Sequence, residues 1–288
     1  MAYAYFQAIF YFTAKESIKY FPNPKGFDMK ITKEKVYFHA PYRILLKRLN
    51  DISGMRVNCE IYVDGEALDS HKDDETDKVN LVFEKFGISK IVHGPFLDLN
   101  PGSKDSRIRQ VSRQRFISAL EFCEKLKVSH IVLHSGFNPI FYKDASAIFL
   151  DLSFSFWREI LRIAIEKKIV IAIENSIDPT PEIIVGLLKE FNSPNLEACF
   201  DAGHYNAFGA KSILESLEEY PPRSIGELHL SDNKGYFDDH LALGEGNIDY
   251  AEIFKKIKEM SREPILTSEP HCFEDIEKNL KYLTTLSF

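Results

Sequence analysis

The sequence has no Cys-x-x-Cys pair, and its four cysteines, Cys59, Cys123, Cys199 and Cys272, are scattered over 288 residues. That spacing argues against a disulfide framework. It is the pattern of small buried residues in a reducing compartment, so a cytoplasmic protein is expected. No apolar run reaches the roughly 20 residues that a membrane span needs. No basic segment followed by a long apolar core opens the chain, so a secretory leader is not expected. Positive charge is not in excess either: 36 Lys and Arg against 43 Asp and Glu give a formal net charge of −7. Such a balance offers no general affinity for nucleic acid, although a local basic groove is compatible with it. There is no linker and no low-complexity tract, and hence no sign of a second domain.

What the chain does have is a repeat. Short apolar runs ending in a polar residue occur eight times, at 35–39, 57–63, 90–94, 130–135, 170–175, 196–201, 226–231 and 264–269. Segments with helical spacing lie between them. Val79, Val82, Phe83 and Phe86 share one face, as do Phe116, Leu120 and Cys123, and Trp157, Ile160, Leu161, Ala164 and Ile165. Ile253, Phe254 and Ile257 repeat the pattern, and Ile276, Leu280 and Leu283 follow it more loosely. Thr180-Pro181 reads as a helix N-cap with proline at the first helical position. Strands apolar on both faces, alternating with amphipathic helices, predict a parallel sheet covered by helices. Eight such units in one domain fit an α/β fold of the (β/α)8 barrel type over residues 31–288, preceded by an aromatic-rich N-terminal extension, residues 1–30. A doubly wound open sheet is the alternative. It would carry a Gly-rich phosphate turn after its first strand, where this chain has HAPYR at 39–43.

In a closed barrel the C-terminal ends of the strands share one mouth. The polar residues there are His93, His134, Glu174, Asp201, His204, His229, Asp238, His240 and Glu269. A single such histidine is more often a hydrogen-bonded core residue, and a single Asp can be a helix N-cap. Five histidines and four carboxylates on six consecutive strands and their loops are a different matter. Four converging carboxylates would repel one another and be pushed toward protonation unless a counter-charge sat among them. Few Lys or Arg lie near them in sequence, so divalent cations are expected, and mixed imidazole and carboxylate ligands suit zinc, manganese or iron.

From Lys35 onward the chain resembles the xylose-isomerase-like TIM-barrel superfamily, the AP endonuclease 2 family. The resemblance rests on LHSG (133–136), IEN (173–175), CFDAGH (199–204), HLSDNKG (229–235), DDHLALGEGNID (238–249) and SEP (268–270), in that order. Two chemistries share that scaffold. Endonuclease IV is similar at all nine of its ligand positions. The resemblance then implies one metal on His93, His134 and Glu174, a second on Glu174, Asp201, His229 and Glu269, and a third on His204, Asp238 and His240. Phe96-Leu97 stands where that family inserts side chains into damaged DNA. The sugar isomerases and epimerases use one metal on the counterparts of Glu174, Asp201, His229 and Glu269. Their two glutamates move a proton at carbon, and His204 and Asn175 are expected near a sugar or sugar-phosphate substrate.

His93, His134, Asp238 and His240 are superfluous to a one-metal isomerase, so their presence favours an endonuclease IV-like phosphoester hydrolase with one to three divalent ions, zinc above all; the sugar or sugar-phosphate isomerase or epimerase is the alternative. Departures weaken the DNA-binding part of that reading. IENS is followed by IDPTPE instead of Ala-Gly-x-Gly, Gly203 replaces a cysteine, and Asp239 replaces an arginine. An acidic run, DGEALDSHKDDETD (64–77), follows the second strand where duplex DNA would want cations. A basic cluster at Lys104–Arg115 reads as a solvated helix face whose first turn suits a phosphate. The long aromatic stretch 137–157 reads either as a lid over a small ligand or as a loop packed on the barrel.

Overall fold

The computed structural model describes residues 31–143 and 145–286; the aromatic extension, residues 1–30, lies outside the described residues. Eight strands form: β1 (Val36–Pro41), β2 (Asn58–Tyr62), β3 (Lys90–His93), β4 (His130–His134), β5 (Val170–Glu174), β6 (Leu196–Asp201), β7 (Ile225–Leu230) and β8 (Ile265–Ser268). Each coincides with one of the eight apolar runs. They pair in sequence order, all parallel, and β1 closes on β8 with Phe38 opposite Ser268. Closure excludes the open doubly wound sheet. The apolar runs have their cause here: β4, β6 and β7 are buried along their whole length, with the barrel interior on one face and helices on the other.

The helices Asp73–Phe86, Ser106–Leu126, Ser146–Glu166, Tyr250–Met260 and Glu274–Thr285 present the predicted stripes to the strands. Val79 and Phe83, Phe116 and Leu120, Trp157 and Ile160, and Phe254 and Ile257 are buried. Ile165, assigned to the Trp157 stripe, is exposed instead. It follows Ala164 by one residue and so is turned about 100° off the buried face. The helix after Thr180 starts one residue later than expected: Pro181 itself takes the N-cap place before Glu182–Phe191. The aromatic stretch 137–157 is not an open loop. It forms a short helix, Pro139–Tyr142, and the first half of Ser146–Glu166, with Phe137, Tyr142 and Phe149 buried against one another. All four cysteines are free; three are buried, but Cys272 is exposed. Among the described residues no helix is long and apolar enough to cross a membrane.

Candidate metal centre

Register decides what meets at the mouth. His93, His134, Glu174 and Asp201 are the last residues of β3, β4, β5 and β6; His229 is next to last in β7, and Glu269 follows β8 directly. Glu174 is the hub. Its Oε2 lies 3.0 Å from His93 Nε2 and 2.9 Å from His134 Nε2, and its Oε1 lies 3.1 Å from His229 Nδ1 and 3.4 Å from His204 Nδ1. His229 Nδ1 is also 3.3 Å from Glu269 Oε1. Asp238 Oδ2 joins His204 Nε2 at 3.2 Å to His240 Nε2 at 2.9 Å. All nine residues singled out in the sequence therefore meet at one end of the barrel.

Four of the histidines are oriented from behind. His93 Nδ1 lies 2.9 Å from the Gly94 carbonyl, His204 Nδ1 2.7 Å from the Asn175 carbonyl, and His240 Nδ1 3.2 Å from the Glu269 carbonyl. His229 reverses the pattern, with Nε2 3.2 Å from Glu60 Oε2. An imidazole that spends one nitrogen on a backbone or carboxylate acceptor presents the other as a metal-binding lone pair. His240 is held at φ +46°, a left-handed conformation that L side chains rarely adopt. The loop keeps it there through the Asp232–Leu241 bridge.

Asp201 caps the helix Ala202–Phe208: its Oδ1 accepts the His204 N–H at 2.6 Å. Asn175, expected near a substrate, is bonded to the end of β6. Its Nδ2 donates to the Asp201 carbonyl at 2.9 Å and its Oδ1 accepts the Asp201 N–H at 2.8 Å, and it is fully buried. It fixes the Asp201 backbone with both of its side-chain polar atoms. Phe96 likewise stacks on the His134 ring at 4.6 Å, packed into the cluster, while Leu97 beside it is exposed. The basic stretch at 104–115 is largely committed to this chain: Arg113 pairs with Glu159, Arg115 with Asp69, and Arg109 caps the Ser103 and Lys104 carbonyls.

The electrostatics fit a cation site. Burial alone would raise the Glu174 carboxyl, but His229 and His134 outweigh it and hold Glu174 well below the ordinary range. Burial raises Asp201 to about 7, His204 pulling it the other way. Burial opposes a charge on His240, yet its bond to Asp238 lifts it to about 9. Three buried carboxylate oxygens have no hydrogen-bond partner: Asp201 Oδ2, Glu269 Oε2 and Asp238 Oδ1. Orphaned anionic oxygens among imidazoles are what divalent ions satisfy. The groups His93–His134–Glu174 and His204–Asp238–His240 each place three ligand atoms within 4.8 Å of one another.

Two neighbours were missed in the sequence. Glu60, in the middle of β2, is fully buried, and His39, near the end of β1, lies 3.0 Å from Glu60 Oε1 and 3.4 Å from Glu269 Oε1. The available signal was a lone carboxylate inside the apolar run VNCEIYV: a charge in a strand buried on both faces needs a partner. A pocket of about 300 Å³ opens beside the cluster, between His39, His240, Glu269, His271 and the apolar Ile44 and Phe273.

Residues 59–286 match the family described as xylose isomerase-like TIM barrel. The chain belongs to that family. The chain is 33% identical over 208 residues to the uncharacterized protein MJ1311 of Methanocaldococcus jannaschii, covering 69% of this chain and 70% of the relative. It is 25% identical over 203 residues to a probable endonuclease 4 of Ureaplasma parvum, 64% of either chain. Among solved structures, the xylose isomerase-like barrel superposes on a D-tagatose 3-epimerase-like protein with a TM-score of 0.75 and 28% identity, covering 86% of this chain and 96% of that one.

Proposed function

We propose that this protein is a metal-dependent isomerase or epimerase acting on a sugar or sugar phosphate. The observation that carries the reading is the convergence of two glutamates, Glu174 and Glu269, on one imidazole nitrogen, His229 Nδ1, at 3.1 and 3.3 Å. Two carboxylates held that close to one another suit proton transfer at a single carbon. Glu174, Asp201, His229 and Glu269 would hold a divalent cation, which supplies Lewis-acid polarisation of adjacent carbonyl and hydroxyl oxygens. Of the two glutamates, one would take a proton from the carbon beside a carbonyl and the other would return one. The greater extent of the likeness to the epimerase-like structure supports this over phosphoester hydrolysis.

One observation favours the second reading, an endonuclease IV-like phosphoester hydrolase: His204, Asp238 and His240 do form a group able to hold a further cation. Zinc and manganese are the proposed ions for either reaction. The deciding experiment measures solvent deuterium entering a panel of ketoses and ketose phosphates, with manganese or zinc present. Glu174→Gln and Glu269→Gln should abolish exchange, and His93→Ala should largely retain it. Absence of exchange in the wild type, together with turnover of abasic DNA or a small phosphodiester that His93→Ala or Asp238→Ala destroys, replaces the first reading by the second.

A further inference from the structure

We propose that Glu60 is the positioning residue of the metal centre: its carboxylate, behind His229, fixes that imidazole so that Nδ1 faces Glu174 and Glu269. The proposal rests on the reading of Glu174, Asp201, His229 and Glu269 as cation ligands. None of the strand-end motifs includes Glu60; it sits in mid-strand on β2. It is fully buried, as is His229. Its Oε2 is 3.2 Å from His229 Nε2, and its Oε1 is 3.0 Å from His39 Nδ1. Among the described residues no backbone carbonyl meets His229 Nε2, in contrast to the nitrogens that orient His93, His204 and His240. Glu227 Oε1 stands at 3.6 Å from that nitrogen, beyond hydrogen-bond distance, and takes its own bond from Thr267 Oγ1 at 2.6 Å, while the buried Cys199 thiol also lies within 4.8 Å of a His229 nitrogen. Glu60 is therefore the group that holds the Nε2 proton in place.

A carboxylate behind a ligating imidazole does two things. It selects the tautomer, and it makes the free nitrogen a stronger donor to the cation; loss of such a partner typically costs 10- to 100-fold in metal affinity. Glu60 also couples the centre to its pocket, because its second oxygen holds His39, one wall of the cavity beside Glu269. A buried carboxylate left without imidazole partners would be costly, so the contacts are mutual.

The test is zinc affinity, measured by competition with a chromophoric chelator, for the wild type and Glu60→Gln. The amide keeps the shape and one acceptor but removes the charge. The expected result is a 10- to 100-fold weaker affinity with the circular dichroism spectrum unchanged. Wild-type affinity in Glu60→Gln overturns the role of Glu60 and leaves the metal reading intact. A wild type that takes up no zinc overturns both. Should Glu60→Gln fail to fold, long-range ¹H–¹⁵N spectra of the zinc-loaded wild type decide the matter, with His229 assigned by its loss in His229→Asn. A protonated Nε2 and a bare Nδ1 are expected; the opposite tautomer refutes the proposal.

Discussion

Asp178 should act as a built-in stability cost that a single isosteric change removes. It lies four residues beyond Glu174 and is 2% exposed. Its Oδ2 accepts the Ser176 N–H at 2.9 Å, and its Oδ1 lies 3.5 Å from Ser135 Oγ. Burial outweighs these bonds and raises the carboxyl from 3.8 to about 6. The folded state thus binds the proton more tightly than the unfolded chain. The group costs stability above pH 6, and the cost fades as pH falls through 6 toward 3.8. At 1.36 kcal/mol per pKa unit, the full cost near pH 8 is about 3 kcal/mol. Asp178→Asn keeps both contacts, because the amide oxygen can accept from Ser176 and the NH₂ can donate to Ser135. Urea unfolding in the presence of a chelator should show the variant more stable by about 1–3 kcal/mol at pH 8, shrinking to under about 1 kcal/mol at pH 4. An equal effect at both pH values, or a loss at pH 8, would refute the argument.

Gly246→Ala should cost about 1–3 kcal/mol in the same assay and release His240. A Cβ there would stand 2.1 Å from Asp232 Oδ1 and 2.3 Å from the Asn233 carbonyl, and Asp232 bridges to Leu241 beside His240. Removing divalent ions should lower the melting temperature; saturating zinc at a hundred times its Kd should restore about 2.7 kcal/mol, and a melting curve indifferent to chelator would count against the centre. Because His240 titrates near 9 and must lose its proton to bind, cation affinity at His204–Asp238–His240 should strengthen from pH 7 to pH 9. Calorimetry showing no such rise would remove His240 from the ligand set.

Most of the fold and much of the site were legible in the sequence for one reason: strands buried on both faces announce themselves, and their polar terminal residues stand out by contrast. His93, His134, Glu174 and Asp201 each end such a run. What escaped was what the contrast does not mark. Glu60 is in mid-strand, so no end position flags it, and its importance depends on β2 and β7 sharing the barrel interior. His39 was visible at the end of its run, but its meaning came only with Glu60. Asn175 was expected near a substrate, and Phe96 was matched by resemblance to a side chain that enters damaged DNA. Their hydrogen bonds and ring stacking, which no spacing reveals, turn them inward.

The way Glu174 is surrounded has a consequence for assembly. It belongs to β5, yet two of its imidazoles come from β3 and β4 and a third from β7. A cut between β4 and β5 would divide the cluster between two fragments, leaving His39, Glu60, His93 and His134 on one and the remaining carboxylates and histidines on the other. Neither half could assemble the whole centre alone. A cation on His93, His134 and Glu174 would act as a rivet between the two halves of the ring, whereas Glu174, Asp201, His229 and Glu269 all belong to the second fragment.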